Sequence, residues 1–328
     1  EDVIRAFGAV TIIIDNFVYV SGNFEFVKSD APKTVVLTDG TSKTVSVLTV
    51  GASDVNAFIG TGDPDSNADG LFDLDDHPEE NGAIGLAITD LDFGLALFKP
   101  VAIADKSSYY ALRASANGIN LVGVPGVILG AGGLQVAVNG ASVPNTGGPT
   151  PTAPPPVINF SAAGSSFGSD GFTFGIGGTN SVTLDMSSRI IAASGNVTIG
   201  LDFDTDDTAE ITLSSFISFE QSFRPNGSSV IKIAMTNLSF ALGDPADPVF
   251  ELSGLSGFFL ITQQGMAASI ELNDYSLLVD GDGANLEISG DIAVQINTTN
   301  TAVNETFVID SLGNTKVLSV PKGPSLRL

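Results

Sequence analysis

Apolar and polar residues alternate at every second position along almost the whole chain. Val18-Tyr-Val20, Phe24-Glu-Phe26, Val45-Ser-Val47, Leu134–Val138, Phe172-Thr-Phe174, Val182–Met186, Val197–Phe203 and Ile292–Ile296 all do so, and Gly, Asn, Asp or Ser closes each run. A period of two puts successive side chains on opposite faces of a strand, and the closing residues are those of tight turns. No stretch carries a convincing 3.6-residue period. The pattern predicts an elongated all-β fold without substantial helix, built from strands of about five to eight residues. A β-solenoid and a stacked β-sandwich both produce such strands.

The chain also repeats itself. Asn56–Pro64 lines up with Asn237–Pro245, Gly94–Phe98 with Gly257–Ile261, and Leu134–Asn139 with Ile292–Asn297. Between the first two matches the spacing shortens by about the length of an acidic loop, so that loop reads as an insertion in one copy. The expected organisation is a first β-rich unit over 1–143, a Pro-rich linker or crossover over 144–157, and a second related unit over 158–328. The run Val143–Val157 is too rich in Pro for a central strand and favours an extended polyproline form.

The inserted loop holds the densest chemistry. From Asp65, oxygen-bearing side chains fall at positions one, three and five (Asp65, Asn67, Asp69), with Gly70 at six, the Leu71 carbonyl at seven, Asp73 at nine and Asp76 at twelve. Asp63 precedes them. That is the register of an EF-hand calcium loop, in which hard oxygen ligands converge around a glycine bend. Gly and Pro on both flanks exclude the two helices of an EF-hand, so the pattern fits an isolated Ca²⁺ loop. A solvated acidic turn is the alternative. Asp202, Asp204 and Asp206 alternate on a strand pattern and form a second candidate metal set, weighed against a solvent-facing row. Asp280–Gly283 and Asp244–Pro248 read as turns.

Composition narrows the function. The formal charge is −24 with 13 Lys and Arg against 37 Asp and Glu, which disfavours nucleic acid and anionic membranes and favours divalent cations. With 43% hydrophobic residues the chain has material for a packed core and is not a disordered acidic tail. Cys is absent, which removes disulfides, thiolate metal sites and Cys nucleophiles. No run of about twenty apolar residues suggests membrane insertion. His77 is the only His, and no local pattern supplies it with a nucleophile, so the expectation is a protein that is not an enzyme. Sequons occur at Asn196, Asn226, Asn237, Asn297 and Asn304.

The phrases Gly94–Pro100, Tyr110–Pro125 and Asn297–Phe307 resemble the long tandem repeats of giant secreted or surface bacterial proteins, often grouped with haemolysin-type calcium-binding proteins. The Gly-Gly-x-Gly-x-Asp nonapeptides of the calcium β-roll are missing. The resemblance implies an extracellular or cell-surface structural module, Ca²⁺-stabilised, whose partners are copies of itself or neighbouring repeats in a filament, surface layer or array. A calcium-dependent carbohydrate-binding or adhesin module that meets surface glycans is the alternative; it would use an exposed aromatic platform near the metal, and Tyr is scarce, with Tyr109-Tyr110 the only pair. A polysaccharide-processing enzyme is the third.

Overall fold

A computed structural model of the chain describes residues 3–144, 154–203, 208–224, 227–244, 248–279 and 286–327. The fold is all-β, with one turn of 3₁₀ helix at Pro78–Asn81. Strands β1 (Val3–Ile14), β2 (Val18–Val36), β3 (Ser42–Thr61), β4 (Ile84–Pro100), β5 (Ser108–Val122) and β6 (Val127–Ser142) form an antiparallel meander. A hairpin of β7 (Phe172–Gly177) and β8 (Asn180–Leu184) follows. Then β9 (Ile190–Leu201), β10 (Ile211–Phe223), β11 (Ser229–Leu242), β12 (Phe250–Thr262), β13 (Gly265–Val279) and β14 (Leu286–Asn297) repeat the meander. A second hairpin, β15 (Val303–Val308) and β16 (Thr315–Val320), precedes β17 (Ser325–Arg327). β6 pairs directly with β9, so thirteen strands make one continuous sheet. At a spacing of about 4.8 Å the sheet is about 58 Å wide.

Each hairpin caps the same face of its own half. Under β7–β8, Val35, Leu37, Val45, Val47, Ala96 and Phe98 pack against Ile158, Phe160, Leu184 and Met186. Under β15–β16, Val230, Ala234, Phe258 and Leu260 pack against Val303, Phe307, Leu318 and Val320. Residues 157–186 thus pack with the first six strands, and the packing boundary falls after Met186, beyond the proline run. Of that run, 145–153 lie outside the described residues, while Val157 is fully buried and its carbonyl accepts the Thr38 N–H at 2.9 Å.

The main strands run to 20 residues, longer than the alternation suggests. Several glycines that read as strand ends lie inside strands, where they admit a neighbour. A Cβ on Gly51 would stand 2.3 Å from Ile176 Cα, and one on Gly94 would stand 2.1 Å from Val182 Cγ1. Both sit beneath the first hairpin, so small residues there let it approach the sheet.

The register exposes the duplication strand by strand. A three-against-two step, Ala52–Val55 opposite Leu91–Phe93, recurs as Met235–Leu238 opposite Leu255–Gly257. Val55 therefore corresponds to Leu238 and Phe93 to Gly257. The phrase match at Asn56 is two residues out and the match at Gly94 one residue out. A slip of one moves every side chain to the other face. The match of Asn139 with Asn297 agrees with the structure. The acidic loop occupies the β3–β4 connection, where the second half has only the short stretch of chain between Leu242 of β11 and Phe250 of β12.

Opposite the hairpins the sheet carries an uncovered apolar face. One row crosses it from Phe26 through Val50, Leu95, Leu112, Val138 and Ile191, is interrupted by Gln221 on β10, and resumes at Ile231 and Ile261. Alternation places this row away from the hairpin cores, and Phe26 and Ile191 remain 47% and 46% exposed. Large exposed apolar patches mark sites of association.

Candidate metal-binding positions and sheet surfaces

The acidic loop is held by Phe72, buried at 3% among Tyr19, Phe58, Ala83 and Ala87 with its ring edge-on to Phe58 at 5.9 Å. Around that anchor the carboxylates turn onto the loop's own amides. Asp65 accepts the Asp69 N–H at 3.1 Å and the Gly70 N–H at 2.8 Å, a link from position one to positions five and six. Gly70 has φ 89°, which a side chain would strain. Asn67 accepts the Asp69 N–H at 3.0 Å, Asp69 the Leu71 N–H at 2.9 Å, Asp73 the Asp75 N–H at 2.9 Å and Asp63 the Asp65 N–H at 3.2 Å. Asp76, 8% exposed, accepts from the N–H groups of Ser66 at 2.7 Å, Asn67 at 3.4 Å and Asp73 at 2.9 Å. All the expected ligands thus lie in one turn system of hard oxygens, in keeping with the chemistry Ca²⁺ takes. They do not draw three carboxylates onto one point.

That convergence occurs elsewhere. Among the described residues, the one trio of carboxylates with oxygens within 4.8 Å of one another is Asp54, Asp90 and Asp92, at the β3–β4 bulge. The Asp54 N–H donates to Asp92 at 3.0 Å, Asn23 and Asn180 amides reach Asp54 at 3.2 Å and 3.4 Å, and the Asn117 amide donates to Asp90. Burial pushes the Asp92 carboxyl above its ordinary value; the Asp54 N–H opposes this, and the charges of Asp90 and Asp54 add to it.

The second half shows what the bulge itself requires. Asp54 and Asp90 have φ of 53° and 50°, and the corresponding Asn237 and Gly254 have 52° and 83°. Asn, Asp and Gly tolerate that backbone. Ser256 stands where the first half has Asp92. The bulge therefore forms without any carboxylate, and the three charges of the first half are extra to it. A divalent cation held by these oxygens and water would relieve their repulsion.

The other expected positions fall differently. β9 ends at Leu201, so Asp202 lies past the strand; it is 6% exposed and its N–H donates to the Gly126 carbonyl at 3.2 Å. It does not share an open strand face, while Asp204 and Asp206 lie outside the described residues, as does Asp280–Gly283. Asp244–Pro248 falls in part outside the described residues, at 245–247; beside it Gly243 has φ 101° and the Val249 N–H donates to the Leu242 carbonyl at 2.8 Å. Tyr109 is a core residue at 2% exposure, so the tyrosine pair is no exposed platform. Asn297 is fully buried, which removes it as a glycan acceptor.

Between the two hairpins runs a trough of about 460 Å³ over β5, β6, β9 and β10. Its floor is small residues such as Ala137, Ala192, Ser194 and Ser218. Of its charged groups, Arg113 pairs with Asp185 and Lys232 with Glu220 and Glu305, while Asp92 and Asp310 accept the backbone N–H groups of Asp54 and Asn314 at 3.0 Å each. Serine hydroxyls line it without a histidine, and His77 sits far along the chain at the acidic loop, exposed and 3.6 Å from Glu79. No family model, curated protein or solved structure matches this chain.

Proposed function

We propose that this chain is a structural module of an extracellular, surface-layer, filament or adhesin-type assembly, stiffened by Ca²⁺ in its first half. The observation that carries this is the seam. Two like units of six strands and a capping hairpin fuse edge to edge through β6 and β9, and the resulting sheet offers an open apolar edge strand and an open apolar face. Such surfaces suit a protein completed by neighbours. The resemblance to repeats of giant bacterial surface proteins points the same way, as does the acidic charge, which suits divalent cations.

Ca²⁺ acts here as a staple. In the acidic loop Asp65, Asn67, Asp69, Asp73 and Asp76 supply hard oxygens close to Phe72, and at the bulge Asp54, Asp90 and Asp92 do so between two strands. Binding to the folded form alone stabilises it by mass action. Extracellular calcium modules work at dissociation constants on the order of 10⁻⁴–10⁻³ M. Thermal unfolding with Ca²⁺ and with chelator tests the staple, and an unchanged midpoint would remove it. Electron microscopy of the native material tests the assembly role.

A further inference from the structure

The seam inside this chain is an interface between two like units, and both of its halves recur at the sheet's outer edges. β14 corresponds to β6, as Asn297 corresponds to Asn139. β1 corresponds to β9: the bulge that sets Ser21–Asn23 opposite Asn56–Ser53 recurs with Ser214–Phe216 opposite Ser239–Thr236. Thr11 is thereby equivalent to Thr198, and both strands cover the same twelve positions, Val3–Ile14 and Ile190–Leu201. One edge of the sheet is a β9-type strand without a partner among the described residues. The other is a β6-type strand.

The β6-type edge is already partly filled, in the register the seam uses. Ser325, Leu326 and Arg327 of β17 lie opposite Asn297, Ile296 and Gln295. At the seam Ile190, Ile191 and Ala192 lie opposite Asn139, Val138 and Ala137. The β1 residues at those three positions are Val3, Ile4 and Arg5, so β17 presents Leu-Arg where β1 presents Ile-Arg. β17 is three residues long, and β14 beyond Gln295 has no second neighbour among the described residues.

We propose that this chain associates head to tail with a second copy, β1 of one copy replacing β17 and adding to β14 of the next in the β6–β9 register. The inference rests on the structural role proposed above and names its partner. β1 suits the part, being twelve residues long with one charge, Arg5, and with Ile4 and Phe7 at 64% and 71% exposure. Unpaired edges of this kind are templates for strand addition. The contact is heterologous, so copies add head to tail into an open string unless their rotation closes a ring.

Disulfide trapping tests the register, and the absence of Cys makes it clean. In the proposed pairing Ala6 lies opposite Val294. Ala6→Cys and Val294→Cys in one chain, with β1 and β14 on the order of 50 Å apart across the sheet, are expected to give an intermolecular ladder on a non-reducing gel. Val10→Cys with Val294→Cys, four residues along the same face, is expected to give none. A chain ending at Pro324, which vacates the β17 slot, is expected to associate more strongly than the full chain. Equal ladders from both Cys pairs, no ladder from either, or no gain on truncation would overturn the proposal. A missing ladder in a chain that still forms filaments would leave the structural role standing on another surface, whereas a missing ladder in a chain that stays monomeric would remove both.

Discussion

Asn139 of β6 and Asn297 of β14 clamp the two hairpin excursions in the same way. Asn139 Nδ2 donates to the carbonyls of Ile158 and Ser188 at 2.8 Å and 2.9 Å, and Asn297 Nδ2 donates to those of Thr301 and Pro321 at 2.9 Å and 2.8 Å. In each half one amide with two donors ties the outgoing and returning legs of the segment that carries the cap. Asn297 does more, because its Oδ1 also accepts the Thr299 N–H at 2.8 Å and the Thr299 hydroxyl at 2.7 Å. Asn139 Oδ1 is buried without a partner.

Removing the clamp leaves buried carbonyls unpaired. Asn139→Leu is expected to cost about 1–3 kcal/mol, and Asn297→Leu more, since it loses the acceptor as well. Urea unfolding of both variants checks the order. Equal stability to the parent chain would show that the clamp contributes nothing.

The two faces of the sheet should respond in opposite ways to truncation. Phe98 lies 5.8 Å from Phe160 and 6.0 Å from both Phe167 and Phe172. Phe98→Ala is expected to cost about 3–5 kcal/mol. Phe26→Ser on the uncovered face is expected to change stability by about 0.5 kcal/mol or less and to lower the binding of a hydrophobic dye. Denaturant midpoints and dye titration measure both effects.

Acid should weaken the Lys43–Asp105 pair. The Lys43 ammonium, then the Ser107 hydroxyl and N–H, hold the Asp105 carboxyl down at about 2. A carboxyl with a folded value below its unfolded value of about 3.9 adds stability that is complete above the unfolded value and is lost as pH falls through the folded one. Asp105→Asn is therefore expected to flatten the fall in unfolding free energy between about pH 4 and pH 2. An unchanged slope would contradict the assignment.

The two acidic positions should answer differently to neutralisation. Asp92 has a raised carboxyl, so its charged form costs stability at neutral pH and the cost is relieved as pH falls through the folded value. In chelator at pH 7, Asp92→Asn is expected to raise the melting midpoint. Asp76→Asn is expected to lower it, because the carboxylate of Asp76 takes up three backbone N–H groups. Each substitution is expected to remove part of the stabilisation by Ca²⁺. A Ca²⁺ shift that survives both would place the ion elsewhere.

Strand chemistry was largely legible in the sequence. Every alternating run quoted at the outset falls in a strand, though Val182–Met186 and Val197–Phe203 each run two residues past the end of theirs. Strand length was not, since glycines such as Gly51 and Gly94 mark close approach of a hairpin and not chain reversal. The duplication was legible where a buried polar residue pins it, at Asn139 and Asn297, and slipped where bulges change the local count. The Asp54, Asp90 and Asp92 trio was out of reach because a bulge joins residues from two strands separated by the acidic loop. The sequence cue was Asp90-Leu-Asp92 alone. Single-sheet architecture was also hidden, because alternation does not say what covers each face.

The measurement that bears most directly on the structural role is electron microscopy of the purified chain with Ca²⁺ at rising concentration. The account predicts strings or filaments of uniform width that lengthen with concentration, as open-ended addition of one sheet to the next requires. Isolated particles of single-chain size at every concentration would contradict it.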